Sequence, residues 1–234
     1  CGNFIATAQL DGLVRVYRMP TPIKLYFQVD VPDSGSRGLM LDQGVMFTGD
    51  LAGNSRIQQL RIIHPEDGQA IAAPIPLSGN LVSADSSSDG KQAFAIVDQS
   101  IPANLEATKP SNEPPDRGPT HELVCCDLIR GEVVARIDLP QPCRKVVQFD
   151  ERVVAITESG MLFWFDYELN RLGESFAGQP AVFSAAQRSG SGKTLAIARD
   201  KTVNIFDVAT GQARDITIEH GTPVSCVAIS PDDR

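Results

Sequence analysis

The sequence has few of the residues on which catalytic, metal and nucleic-acid sites depend. It has only three histidines, without a metal-ligand spacing, and no Gly-x-Ser-x-Gly motif. Its 21 lysines and arginines are outnumbered by 29 aspartates and glutamates, for a net charge of −8. Because phosphate binding needs clustered basic side chains, this balance argues against a nucleic-acid partner. We therefore predict that the chain is not an enzyme and has no catalytic residue, metal, cofactor or small-molecule substrate.

The chain also lacks an apolar run of membrane-spanning length and a Cys-x-x-Cys pair. Cys125 and Cys126 are adjacent on a predicted strand, so their side chains should point to opposite faces of a sheet. We predict buried, reduced thiols, Cys226 included, and a cytoplasmic location. The alternative is a lipid-anchored bacterial envelope protein attached through Cys1, because Cys1-Gly2 fits the start of a mature lipoprotein.

What the sequence does contain is a repeating unit of short strands and tight turns, and its clearest copy covers residues 194–233. Apolar or alternating runs separated by turn residues predict strands at residues 195–198, 202–206, 214–218 and 224–229. The last run stops at Ser230-Pro231-Asp232-Asp233, a turn signature. The unit therefore predicts antiparallel sheets.

This unit resembles the WD40 repeat, the blade of a β-propeller. The resemblance is carried by His220, Val224, the stretch 227–232 and a strand ending in Phe206-Asp207, where the family has Trp-Asp. It implies an all-β propeller of four-stranded antiparallel blades. It also implies a structural hydrogen-bond network, in which a tyrosine hydroxyl replaces the family's indole, at His220, Thr7, Asp11 and Tyr17.

The spacing of further copies indicates the number of blades. Positions equivalent to Asp207 in the repeating unit are found at residues 18, 64, 127, 166 and 207, separated by 46, 63, 39 and 41 residues. The long step is explained by one insertion at residues 100–120, which holds five prolines and no periodicity. We predict a surface loop there, between the second and third strands of its blade. About five blades are expected, in a single domain over residues 1–234.

The two ends of the chain complement each other. Residues 1–17 have the pattern of a blade without its first strand, and residues 224–234 that of a first strand without its blade. Either the C-terminal strand docks in the N-terminal blade and closes a five-bladed ring, or the chain is part of a larger ring. Seven blades are common in the family and no initiator Met is present, which favours the second interpretation.

The remaining strands are predicted blade by blade. The second blade is the most degenerate, with strands at residues 39–41, 45–48, 56–63 and 70–75. The third has strands at residues 81–84, 93–97, 123–127 and 133–137, and the fourth at residues 145–149, 153–156, 161–165 and 173–176. Trp164, the only tryptophan, is predicted to pack in the core or between blades.

Two local patterns mimic binding sites. Residues 190–194, Gly-Ser-Gly-Lys-Thr, look like the end of a phosphate-binding loop, but Gln187 stands where that motif needs glycine and a strand follows. We interpret this run as a blade turn. The nearest approach to a basic cluster is interpreted as solvated turn residues, and consists of Arg188, Lys193, Arg199 and Lys201.

Function has to be inferred from architecture. The first hypothesis is a scaffold or regulatory module that docks other proteins or peptide segments on the propeller loops or rim. The alternative is a propeller enzyme of lactonase or hydrolase type, with a metal or acid/base site in the central channel. Its candidate residues lie at the predicted ends of first strands, where turn capping also explains them, and are Asp85, Asp150 and Asp232.

Overall fold

The protein, as a computed structural model, consists of β-strands, turns and extended segments throughout its described residues. Backbone and side chains are described for residues 59–63, 69–87, 89–100, 120–176 and 180–229, and backbone alone for strands at 4–8, 13–18, 24–30, 38–40, 45–51 and 54–58. Nothing in these ranges forms a helix with the length and apolar character needed to cross a membrane.

Within the described residues, nineteen strands form five antiparallel sheets, each a meander in chain order. The first sheet has β1 (Phe4–Ala8), β2 (Leu13–Arg18) and β3 (Lys24–Asp30). The second has β4 (Gly38–Met40), β5 (Val45–Leu51), β6 (Asn54–Ile63) and β7 (Ile75–Pro76). The third has β8 (Asn80–Ser86), β9 (Gln92–Asp98), β10 (His121–Asp127) and β11 (Glu132–Asp138). The fourth has β12 (Cys143–Gln148), β13 (Val153–Thr157), β14 (Leu162–Phe165) and β15 (Arg171–Ser175). The fifth has β16 (Phe183–Arg188), β17 (Thr194–Arg199), β18 (Thr202–Asp207) and β19 (Ala213–Glu219).

Side chains of aspartate close the turns between the third and fourth strands. The Asp127 Oδ1 accepts hydrogen bonds at 2.9 Å from the backbone nitrogens of Ile129 and Arg130. The Asp207 Oδ1 accepts one at 3.0 Å from the Thr210 nitrogen. Such local hydrogen bonds stabilise a turn without any contact from a helix or another strand. The aspartate that recurs in the sequence is therefore the residue that reverses the chain.

The core lies between successive sheets, because the middle strands are apolar on both faces. Cys126 packs with the second sheet, whereas its neighbour Cys125 packs with the fourth, which confirms that the two thiols point in opposite directions. The fourth and fifth sheets meet through Ile156, Trp164 and Leu195, all buried. The burial of Trp164 between blades is as predicted. Successive apolar residues along a strand therefore point into two different cores, one on each side of the sheet.

Four features of the structure differ from what the sequence led us to expect. Strand β16 was not predicted, because its sequence Phe-Ser-Ala-Ala-Gln-Arg has no clear apolar alternation. Residues 224–229 form no strand, so the strand predicted there is wrong. Cys226 is consequently exposed instead of buried. The two arrangements considered for the chain ends, a closed ring or part of a larger one, stay predictions. In the second blade, Ala70 forms only an isolated bridge to Ile63.

Strands β9 and β10, which flank the predicted insertion, pair directly from Asp98 opposite His121. The Gln99 nitrogen donates to the Thr120 oxygen at 2.7 Å, so the two ends of the intervening segment lie side by side. Residues 101–119 lie outside the described part of the chain.

We predict that Gly160→Ala destabilises the protein more than Gly192→Ala. Both glycines have a left-handed backbone, with φ of 83° and 70°, so each substitution carries a backbone cost of about 1–2 kcal/mol. A Cβ at Gly160 would also overlap the Cδ of Arg199, whereas nothing lies within 4 Å of one at Gly192. Overpacking should add about 1–3 kcal/mol to the loss at Gly160. Urea unfolding of both variants measures the difference; equal losses would show that Arg199 moves aside freely.

Candidate functional site

Three polar residues at the ends of successive first strands form a ladder on the inner side of the sheets. The Gln148 backbone nitrogen, at the end of β12, donates to Asp85 Oδ2 near the end of β8 at 2.9 Å. Arg188, the last residue of β16, donates to the Gln148 Oε1 at 2.9 Å and to its backbone oxygen at 3.0 Å. The ladder therefore ties the third, fourth and fifth blades together.

Gln148 is fully buried, and its remaining polar atoms are also used. Its Nε2 donates to the Phe149 oxygen and to the Tyr167 hydroxyl, which in turn donates to the Phe149 oxygen at 2.5 Å. Burial raises the pKa of Tyr167 to about 12, although its hydrogen bond with Gln148 acts in the opposite direction. A buried network with this many internal bonds is rigid and holds its neighbours in place.

The residues considered for acid/base chemistry occupy different environments. Asp85 accepts bonds from two backbone nitrogens, those of Gln148 and of Ser86, the latter at 2.9 Å. It therefore bridges two blades, which is more than the local turn capping expected of it. Asp150 lines a notch described next, and Asp232 lies outside the described residues.

An acidic notch of about 470 Å³ lies at the turns that connect first to second and third to fourth strands. Asp89, Asp127 and Asp150 line it together with Lys91, Ile129 and Tyr167. The hydrogen bond from Ser87, followed by the one from the Lys91 backbone, lowers the pKa of Asp89 from 3.8 to about 2. Among the described residues no group of three or more His, Cys, Asp and Glu side chains is arranged to hold a metal ion. The Asp89 and Asp127 carboxylates stabilise their own turns.

The opposite end of the blades carries an apolar pocket of about 450 Å³. Meander topology places the turns between second and third strands at this end, together with the connections from one blade to the next. The pocket is lined by Gln141, Pro142, Thr157, Glu158, Ser159, Pro180, Ala181 and Val182. Val182 is 67% exposed, which is high for a large apolar side chain. An Arg144–Glu158 ion pair of 2.9 Å stands beside it.

Hydrogen bonds hold the walls of this apolar pocket in position. The Thr157 Oγ1 accepts from the Met161 nitrogen at 2.9 Å and lies 3.0 Å from the Ser159 hydroxyl. The Val182 oxygen accepts from the Asp200 nitrogen at 3.0 Å, which connects the pocket wall to the fifth blade. The pocket is thus formed before any ligand binds.

Two of the four basic residues interpreted as solvated are not solvated. Arg199 is only 2% exposed; its Nη2 donates to Asn204 Oδ1 at 2.6 Å and its guanidinium lies 4.9 Å from the centre of the Phe176 ring. Burial lowers the pKa of Arg199. Arg188 is half-buried in the inner ladder. The reason is tertiary: both strands end where neighbouring blades meet. The phosphate-loop mimic at residues 190–194 is a turn followed by β17, as predicted.

The network implied by the family resemblance stays a prediction. His220 is exposed, and its backbone nitrogen donates to the Lys201 oxygen at 2.8 Å. Thr7 and Tyr17 lie on the paired strands β1 and β2, opposite Arg15 and Ile5 respectively. Asp11 lies outside the described residues.

His121 has a structural role that the sequence did not reveal. Its Nδ1 accepts a hydrogen bond from the Cys143 nitrogen at 3.1 Å, so the proton of the neutral ring is on Nε2, 3.9 Å from Asp98 Oδ1. The histidine therefore joins the third blade to the start of the fourth. No local sequence signal marks this contact, because Cys143 is far along the chain.

We predict that Asp85→Ala lowers the free energy of unfolding by about 1–3 kcal/mol, because it leaves the Gln148 backbone nitrogen without its acceptor. Asp85→Asn is the matched control, because its single amide oxygen can still accept from the Gln148 nitrogen although it can no longer also accept from the Ser86 nitrogen, so its loss of stability should be smaller than that of Asp85→Ala. Chemical denaturation measures both variants. An Asn variant as unstable as the Ala variant would contradict a stabilising bond from the Gln148 nitrogen to residue 85.

The lowered pKa of Asp89 predicts a dependence of stability on acid pH. Because the folded pKa lies below the ordinary value, the contribution of Asp89 is present above pH 3.8 and is lost as the pH falls through about 2. The Ser87→Ala variant lacks the hydroxyl that contributes most to lowering the pKa of Asp89. Its free energy of unfolding should therefore fall less across this pH range. Unfolding curves at several pH values test the slopes; identical slopes in the two proteins would contradict the assignment.

Comparison with known proteins identifies the fold. No protein-family model and no curated protein matches the chain. The computationally designed Ika8 protein is similar in structure, with a TM-score of 0.70 and 15% sequence identity over 98% of this chain and 63% of that one. The C-terminal WD40 domain of Sif2 gives a TM-score of 0.65 at 15% identity over 95% of this chain and 59% of that one. The chain thus spans less than two thirds of either structure. At this identity the likeness shows the fold alone, and with the antiparallel sheets it confirms that the chain has the fold of a WD40-type β-propeller.

Proposed function

We propose that this chain is a protein-interaction module that binds a segment of a partner protein at the apolar pocket between the fourth and fifth blades. The observation that carries the proposal is the exposure of Val182, at 67%, beside Pro142 and Pro180 in a pocket with hydrogen-bonded walls. Apolar surface that is held open in this way favours the binding of an apolar side chain.

The rigidity of the pocket supports binding without rearrangement. A preformed site avoids the entropic cost of ordering its own side chains when a ligand arrives. The cavity of about 450 Å³ is large enough for one or two apolar side chains of an extended peptide. The exposed Arg144–Glu158 pair offers both signs of charge at the edge, for polar groups of the same peptide.

Other features support proteins as the partner class. The net charge of −8 disfavours binding to nucleic acid. We propose no catalytic role for Asp85, because its carboxylate already accepts hydrogen bonds from two backbone nitrogens. The free thiols of Cys125, Cys126 and Cys143 support a reducing compartment, so we propose the cytoplasm as the place of action.

A phage-displayed library of random peptides tests the proposal. Peptides that are enriched on the wild-type chain should bind the Val182→Asp variant at least about tenfold more weakly, because a carboxylate placed against an apolar ligand loses its hydration. Affinities are measured by fluorescence polarisation with the enriched peptides.

Leu172→Asp is the matched control, since Leu172 is a 50% exposed apolar residue on the outer strand β15. Binding that survives Val182→Asp but is lost in Leu172→Asp would move the interaction to the rim and overturn the proposed site.

A further inference from the structure

Both ends of the connection from the third blade to the fourth are bonded to one residue, His121. The Leu139 nitrogen donates to the His121 backbone oxygen at 2.8 Å. The Cys143 nitrogen donates to the Nδ1 of the His121 ring at 3.1 Å. Leu139 and Cys143 are at most 1% exposed, so both ends of the connection are held inside the protein. Residues 139–143 are called the anchored loop below.

The anchored loop forms part of the wall of the apolar pocket. Gln141 and Pro142, which lie between its two ends, line this pocket. The Gln141 oxygen also accepts a weak hydrogen bond from the Cys143 Sγ at 3.4 Å, which connects the middle of the loop to one of its ends. The position of this wall therefore depends on the bond between the Cys143 nitrogen and the His121 ring.

Only a neutral histidine can make this bond. The Nδ1 of His121 accepts from Cys143 and therefore has no proton of its own. A protonated imidazole ring has a donor at each nitrogen and no acceptor, so two donors would then face each other and the Cys143 nitrogen would lose its partner. Histidine is the side chain that ordinarily takes up a proton between about pH 5 and pH 8.

A carboxylate beside the ring favours its protonated form. The Asp98 Oδ1 lies 3.9 Å from the His121 Nε2, and the two side chains are only 27% and 11% exposed. Burial raises the pKa of Asp98, but hydrogen bonds from Ser100, followed by the charges of His121 and Arg144, act in the opposite direction and lower the pKa overall. Asp98 is therefore ionised in the range where histidine titrates, and it attracts a charged ring.

The fourth blade contributes one cation near this pair of residues. Arg144, which follows Cys143 on β12, is the cation whose charge acts on Asp98. It is 58% exposed and forms an ion pair of 2.9 Å with Glu158, in the turn after β13. Its repulsion of a protonated His121 is therefore weakened by the Glu158 carboxylate and by water.

The third blade directs its other nearby charges to the opposite side of the sheet. Glu122, the next residue of β10, points away from the face of His121, and Asp138 pairs with Glu122 and so shares its face. The residue of β8 opposite Asp98 is the uncharged Asn80. Among the described residues of these strands, Asp98 is thus the charge that faces the ring.

We propose that His121 is a pH-sensitive anchor of the apolar pocket. The neutral ring holds the anchored loop against the third blade, whereas the protonated ring releases the Cys143 nitrogen and is held by the Asp98 carboxylate. Gln141 and Pro142 then lose their fixed position, and the pocket binds apolar side chains more weakly at acid pH. The effect on binding rests on the function proposed for the pocket, whereas the release of the Cys143 nitrogen does not.

Hydrogen exchange of the Cys143 amide in the 1–234 chain tests the release directly. The protection of this amide, relative to its intrinsic exchange rate at each pH, should fall at least about tenfold from about pH 8 to about pH 5.5, because a buried donor loses its acceptor. The Leu139 amide is the internal reference and should stay protected, because it donates to the backbone of His121 and not to the ring.

His121→Asn keeps an oxygen near the position of Nδ1 but cannot be protonated, so its Cys143 amide should stay protected at both pH values. The matched control is His220→Asn, which removes an exposed histidine of the fifth blade and should leave the pH dependence unchanged. Constant protection of the Cys143 amide in the unmodified chain would overturn the proposal. So would an equal loss of protection in His121→Asn, because a different group would then be responsible.

The ring nitrogens of the unmodified chain provide a readout that needs no variant. Their NMR chemical shifts should show an unprotonated Nδ1 in His121 at the higher pH and a proton on both nitrogens at the lower one. A proton on Nδ1 at the higher pH would contradict the proposal.

The peptides enriched by phage display test the effect on the pocket. They should bind the unmodified chain at least about threefold more weakly at the lower pH, because a smaller fraction of the molecules has the wall in place, and His121→Asn should remove this difference. Equal affinities at both pH values, alongside a loss of Cys143 protection, would overturn the control of the pocket by His121. If no peptide is enriched, the proposed function fails, whereas exchange of the Cys143 amide still decides whether His121 is the anchor.

Discussion

Packing of each sheet on the next is the interaction on which the whole structure depends. Every residue of β13 is buried, and successive residues along this strand pack against different neighbouring sheets. A sheet that is apolar on both sides loses the hydrophobic contribution of one face unless a second sheet covers it. The stacking of blades is therefore a condition of stability for each blade and cannot be separated from the fold of the single repeat.

The polar contacts between blades are a consequence of this close packing. Where first strands approach each other, backbone nitrogens lose water and need an acceptor from the neighbouring blade. Ser83 supplies one to the Val146 nitrogen at 3.2 Å, and Asp85 supplies one to Gln148. The same constraint explains Arg199, whose guanidinium is bonded to Asn204 and placed over Phe176. Buried polar groups of this kind fix the orientation of one blade on the next.

The two ends of the blades are then left for binding, and their chemistry differs. At one end aspartates such as Asp89 and Asp127 are occupied by the backbone of their own turns. At the other end the connections between blades bring proline and valine together, and the hydrogen bonds around Thr157 keep the space between them open. A scaffold whose framework is rigid can bind at such a place without a change of fold, which agrees with the function proposed for it.

Much of the fold is encoded locally. The alternation of residues 202–206, the turn at Asp207 and the opposite directions of Cys125 and Cys126 all follow from strand geometry, and the structure confirms them. Strand β16 was not recognised, because its contribution to the sheet comes from pairing with β17 and not from its own composition. Sequence spacing also placed the candidate acids at the ends of first strands, but it contained nothing about the partners that they would find.

What the sequence by itself determined is the blade: its strands, its aspartate turns and the approximate number of its copies. Only the tertiary structure decided which surfaces of the blades are covered. Arg199 has the sequence context of a turn residue and is buried, whereas Cys226 has the context of a core residue and is exposed. The physical reason is that burial of a propeller residue depends on whether another blade lies beside it, and that contact joins residues about one repeat or more apart in the chain.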